Sequence, residues 1–188
     1  MLLKSPSKIF QITFVTGLFA LVSLVLPSQA SAADDDAPLA VFSQWRVFVE
    51  GSGAAKNCFI MGEPVSSKPA KAKRGKVFMT ISHRPGQGVR QEVAMSAGYP
   101  FSSTSNPFAK TGADSFDFFT GVRAQNGADD WAWLLNLKDQ KRLVLAMKRG
   151  SELVFKGTSA RGTLTTDTYS LRGVTAAMKA LDAACPAP

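Results

Sequence analysis

Histidine is nearly missing from this chain. His83 is the only one, which excludes any site that gathers several imidazoles and makes any serine triad depend on that single ring. Cysteine is almost as scarce: only Cys58 and Cys185 occur. With no Cys-x-x-Cys spacing, the pair lacks the arrangement that lowers one thiol's pKa for redox work. Zinc needs three or four converging Cys, His or carboxylate ligands, and none are spaced for it. Asp129-Asp130 lacks the regularly placed oxygen ligands and glycine of a calcium loop, so it reads as a solvated turn. No Gly-x-Ser-x-Gly elbow is present, and the run from Gly157 to Gly162 has the wrong spacing to set a nucleophile on a strained turn. Gly86-x-Gly88 followed by Gln91 is not a dinucleotide fingerprint, and no Gly-Lys-Ser or Gly-Lys-Thr phosphate loop occurs. No metal is called for, and no soluble cofactor has an anchor.

Long apolar runs are scarce as well, with one exception at the start. Lys4 and Lys8 precede an almost uninterrupted apolar stretch from Ile9 to Leu26, and Pro27-Ser28-Gln29 leads into Ala30-Ser31-Ala32. A basic end, an apolar run and a small-residue cleavage pattern together predict an export signal over residues 1–32. No later segment is long enough to span a bilayer, so no transmembrane segment is expected in the mature chain. Cleavage after Ala32 leaves 156 of the 188 residues and lowers the formal charge from +8 to +6, enough chain for one domain with its own core. Residues 33–42, with Asp34, Asp35 and Asp36, read as a flexible leader, and residues 43–188 as a single domain.

Two cysteines in an exported chain allow one pairing, Cys58 with Cys185. Val174, Ala177, Met178 and Leu181 recur at helical spacing. Cys185 lies eleven residues beyond Val174, close to three turns, so its sulfur points to the same buried side. Cys58 sits in Cys58-Phe59-Ile60-Met61, short enough for a buried strand. Closing so long a loop contributes about 4–5 kcal/mol in the chain-entropy account.

Alternation supplies the remaining elements. Trp45, Val47 and Val49 mark a first strand that Gly51-Ser52-Gly53 breaks. Val77, Met79 and Ile81, then Arg84-Pro85-Gly86-Gln87-Gly88, then Val89, Val93 and Met95 describe a hairpin, because Pro and Gly supply the turn dihedrals. Phe116, Phe118 and Phe119 suggest a strand, as do Leu153–Phe155 and Thr163–Tyr169, while 131–137 fits either a strand or a helix. Asp139 caps a short helix over Leu143, Val144 and Met147 that Gly150 ends. Gly173 to Ala184 forms the last helix, stopped by Pro186. The expectation is a mainly β protein, a sandwich-like antiparallel domain with a C-terminal helix and one further short helix. His83 falls at a strand end beside the Pro-Gly turn and reads as a surface residue without a role.

One charged feature is dense enough to meet a partner. Lys68, Lys71, Lys73, Arg74 and Lys76 lie in a Pro-flanked, extended loop and are suited to an anionic envelope surface. They lack the aromatic interleaving of a single-strand binder, so no nucleic-acid partner is expected. Asp114 and Asp117 are the carboxylates on which a rival hydrolase reading rests. The aromatics Phe116, Phe118, Phe119, Trp131 and Trp133 are either core or the lining of a small-ligand pocket.

Trp45-Arg46-Val47 opens the first strand, Cys58-Phe59-Ile60 follows about a dozen residues on, and Ser170-Leu171-Arg172-Gly173 leads into a helix ending at Cys185. In this pattern the chain resembles the invasion-associated locus B family of bacterial envelope proteins. The resemblance implies a periplasmic or outer-membrane-associated β-rich domain with no established catalytic residues, linked in some pathogens to invasion of host cells. Where many such sequences look as if they carry a cysteine near the end of the first strand, this chain has Phe48-Val49. A non-enzymatic domain that binds another envelope component, an envelope protein or an anionic surface, is the expectation.

Overall fold

The computed structural model describes residues 37–186. The apolar run from Ile9 to Leu26, the cleavage pattern ending at Ala32 and the acidic Asp34–Asp36 lie outside the described residues.

Alternation builds the first strands as expected. β2 (Trp45–Glu50) buries Trp45 and Val47, and β3 (Asn57–Gly62) buries Cys58 and Ile60. The hairpin is β5 (Phe78–Arg84) and β6 (Val89–Ser96), joined through a 3₁₀ turn over Pro85–Gln87. Gly88 closes that turn at φ 66°, a left-handed conformation that glycine takes without steric cost. The aromatic strand is β8 (Asp114–Thr120), and the ambiguous stretch resolves as β9 (Trp131–Leu134). Two late strands follow, β10 (Glu152–Thr158) and β11 (Leu164–Ser170).

Three strands and a short helix carried no recognisable signal. β1 (Ala40–Phe42) lies within the segment expected to be leader and pairs with β2, with Ala40 opposite Val47. Ordered chain therefore starts before position 43. β1 also packs under the C-terminal helix, where Gly173 lies so close to the Phe42 carbonyl that a Cβ there would stand 2.2 Å from its oxygen. β4 (Ser66–Lys68) lies in the segment expected to be loop and pairs with β11. β7 (Phe108–Thr111) pairs with β8 and β10. α1 (Gly121–Ala124) is a single turn capped by the Thr120 hydroxyl.

The eleven strands among the described residues join one antiparallel sheet, in the order β1-β2-β3-β5-β6-β9-β8-β7-β10-β11-β4. The sheet folds over at β8, whose first four residues pair with β7 and whose last three pair with β9. Its two leaves enclose the core between them, which bears out the mainly β, sandwich-like reading. Phe118 from one leaf meets Phe155 from the other edge to face at 5.5 Å, the arrangement that ring quadrupoles favour. The Trp45 indole donates to the Ser170 carbonyl at 3.0 Å, tying β2 to β11.

Two longer helices complete the core. α2 (Asp139–Arg149) buries Leu143, Val144, Ala146 and Met147 and ends at Gly150. Its N-cap is Lys138 rather than the expected Asp139, because Asp139 already has helical geometry and accepts from Arg142 at 3.1 Å in the first turn. α3 (Val174–Ala184) buries Val174, Ala177, Met178 and Leu181 against β1, β2 and β3. No helix among the described residues is long and apolar enough to cross a membrane.

Candidate functional site

The end of α3 is fixed covalently and electrostatically. Cys58 and Cys185 form the expected disulfide across a sequence separation of 127, and both are fully buried. The Cys185 carbonyl accepts from Arg90 at 3.0 Å, the Ala184 carbonyl from Lys56 at 2.8 Å, and Arg90 also holds Asp182 at 2.9 Å. Cations at a helix C-terminus satisfy its orphan carbonyls and complement its dipole. His83 belongs to this cluster. The expectation of a surface residue fails: its ring is fully buried on the inner side of β5, opposite Cys58, with Nδ1 3.4 Å from the Cys185 carbonyl. Burial, reinforced by the nearby Arg90 charge, pushes the imidazole pKa below its ordinary value. Position at a strand end misled because the terminal helix folds back over that end.

The basic cluster divides. Arg74 turns inward and makes a bidentate pair with the fully buried Asp167, with Nη1 to Oδ2 at 2.8 Å, and its own side chain is 7% exposed. Ser67 donates to the same carboxylate at 2.6 Å. The Asp167 hydrogen bond raises the Arg74 pKa, so the guanidinium stays charged in place. Arg74 is therefore withdrawn from the cationic surface, because the loop needs a partner for the carboxylate it covers. Lys68, Lys71, Lys73 and Lys76 remain exposed, and none is ion-paired among the described residues. Lys68 lies on the edge strand β4, where lysine also discourages edge-to-edge association. Gly75 donates to the Gly98 carbonyl at 2.7 Å, so the segment is tied down at two points.

The aromatic cluster divides too, by strand alternation. Phe116 and Phe118 point inward and are core. Phe119, Trp131 and Trp133 are half-buried on the opposite side of the sheet, where Phe119 stacks on Trp133 at 5.7 Å and Trp133 on Trp131 at 6.2 Å. Phe78 meets Trp131 edge to face at 5.4 Å, and farther along the same surface Phe48 stacks on Phe59 at 5.1 Å. All of these rings except Phe119 line an open trough of about 1050 Å³ over β2, β3, β5, β6 and β9. Met61, Thr80, Ser82 and Ala94 form its floor, and Arg46 with Glu63 and Arg84 with Glu92 make ion pairs along it. Apart from Lys76, the polar members of this surface were not singled out in the sequence. The available signal was that β2, β3 and β5 carry Phe48, Phe59 and Phe78 at outward positions, where a half-exposed strand ordinarily turns polar.

Asp114 and Asp117 do not come together. Three residues apart on β8, they point to opposite sides; Asp114 accepts from Arg142 at 3.0 Å and Asp117 is exposed, and neither lines the trough. Among the described residues no group of three or more His, Cys, Asp or Glu is arranged to hold a metal ion.

A mainly antiparallel β domain, its one sheet folded over on itself and its terminal helix crosslinked to β3, is the class these features define. The model of the "Invasion associated locus B (IalB) protein" family matches residues 136–182, which take in α2, β10, β11 and most of α3. The crystal structure of invasion associated protein B from Bartonella henselae is similar at a TM-score of 0.53 and 16% identity, over 77% of this chain and 95% of that one. No curated protein matches the chain. The resemblance to the invasion-associated locus B family is borne out.

Proposed function

We propose that the chain is an exported, non-catalytic domain of the bacterial envelope that binds an anionic envelope component through Lys68, Lys71, Lys73 and Lys76. The observation that carries this reading is the Arg74–Asp167 anchor: it holds the basic segment on the sheet while the four lysines stay in solvent. A fixed cluster of unpaired cations attracts anionic surfaces without first being ordered. Export is supported by the leader-like residues 1–32 and by the buried disulfide, which persists in oxidising compartments. Residues 33–39 are then the short leader that remains, and the domain runs on from β1.

The test replaces Lys68, Lys71 and Lys73 by Ser, sparing Lys76 because it also lines the trough. Sedimentation with phosphatidylglycerol-containing vesicles and recovery of partners from intact envelopes are measured for both proteins. The reading expects recovery to drop severalfold and to fall as salt is raised. Equal recovery removes the lysines from the function. Mass spectrometry of the native protein should show a first residue of Ala33; a retained leader would overturn export by cleavage.

A further inference from the structure

We infer that the trough on the outer face of the sheet is a second binding site, and that its ligand is a linear, uncharged oligosaccharide. The inference rests on reading the chain as a binding domain, but not on the lysine segment.

Charge is the first argument. The whole chain carries +8, whereas the trough is balanced, with Arg46, Lys76 and Arg84 set against Glu50, Glu63 and Glu92. A neutral wall gives no Coulombic pull on a polyanion, so the ligand for which this surface is shaped carries no net charge. Its two guanidinium–carboxylate pairs still offer strong, directional donors and acceptors of the kind that hold hydroxyl groups.

Shape and chemistry narrow the ligand further. Sugar rings present flat C–H faces that pack on aromatic side chains and a rim of hydroxyls that needs hydrogen bonds. The trough supplies both. Phe48, Phe59, Phe78, Trp131 and Trp133 line it, with Thr80 and Ser82 on the floor between them. At one end of the trough the Asn57 amide donates to Glu50 at 3.5 Å, which sets that carboxylate as an acceptor for a hydroxyl. The register sets the length. From Phe78 to Arg84 along β5 the trough runs six residues, about 20 Å at strand rise, room for several sugar rings in line.

Other occupants fit less well. β3, β5 and β6 beneath the floor are hydrogen-bonded on both sides, so an extended peptide finds no free edge to pair with and would leave its own backbone groups unmatched. An acyl chain would bury ion pairs and hydroxyls against hydrocarbon.

Tryptophan emission of the purified full chain is titrated with maltohexaose, cellohexaose and chitohexaose, at low and at high salt. At least one should produce a saturable change whose midpoint is insensitive to salt. Trp133→Ala and Phe59→Ala should each weaken binding about tenfold, as expected for losing one stacked ring, with circular dichroism confirming the fold. Glu63→Gln, which keeps the side chain's shape, serves if either truncation fails to fold and should also weaken binding. The triple lysine variant should bind these sugars like the unaltered protein. The inference is overturned if none of the three sugars binds, if binding collapses with salt, or if trough variants bind like the unaltered protein. Sugar binding that fails while vesicle binding persists removes this inference alone. The converse removes only the lysine reading.

Discussion

The two faces of β2, β3 and β5 are built from alternating residues of the same strands, and they have opposite properties. Inward lie Trp45, Val47, Cys58, Ile60, Met79, Ile81 and His83, all fully buried. Outward lie Arg46, Phe48, Phe59, Met61, Phe78, Thr80 and Ser82, a mixture of rings, hydroxyls and charge facing an open trough. The inner set is sealed by α3 and its disulfide; no element covers the outer set among the described residues. Half-buried rings without a covering layer are what the proposed binding role of this trough would use.

Substitutions that act on one face and spare the other sharpen this comparison. The largest effect is expected on the inner side. Replacing both Cys58 and Cys185 by Ala should cost about 4–5 kcal/mol of unfolding free energy in denaturant titrations, the upper range of the chain-entropy account. A loss below about 1 kcal/mol would show that α3 holds its place by packing alone.

Next come neighbours on one strand. Ile60→Ala should cost about 2–5 kcal/mol, because it opens a cavity in a packed interior, whereas Phe59→Ala should cost only about 1 kcal/mol, the stacking with Phe48. Equal losses would erase the distinction between the faces.

A smaller effect concerns His83. Its folded pKa lies below the ordinary 6.5, so between those two values the unfolded chain binds more protons than the native one. Stability should therefore be intact above about pH 6.5 and decline as pH falls through that region. His83→Gln should flatten the decline in thermal melts followed across that range, and an unchanged slope would mean another group is responsible.

The smallest effect is expected at Tyr169, whose buried hydroxyl has no hydrogen-bond partner among the described residues. Burial holds that phenol far above its usual pKa. Tyr169→Phe should leave stability unchanged or raise it by about 1 kcal/mol, since an unmatched polar atom is removed. A loss of stability would reveal a contact for that oxygen.

How much was legible depends on the signal each element carries. β2, β3 and β8 show alternation because one face is core, and α3 shows helical spacing for the same reason. β4 and β1 are three residues each and owe their existence to neighbours, so Ser66-Ser67-Lys68 looks like any polar linker until β11 lies beside it. Arg74 read as one cation among five; only the approach of Asp167, 93 residues away in sequence, takes it out of solvent. His83 misled in the same way, through a helix 102 residues downstream. The aromatic cluster posed a choice between core and pocket, and period-two geometry answers with both: Phe116 and Phe118 go one way, Trp131 and Trp133 the other.

Local chemistry was determined by the sequence alone. Two cysteines permit one pairing, periodic apolar residues mark strands and a terminal helix, and missing motifs leave common catalytic frameworks without parts. The fold-over at β8 was decided only in three dimensions, and with it which outward residues share a trough and which cations find a buried partner. The physical reason is range: propensity and periodicity act over a few residues, whereas desolvation and ion pairing depend on whatever the folded chain brings within a few ångströms.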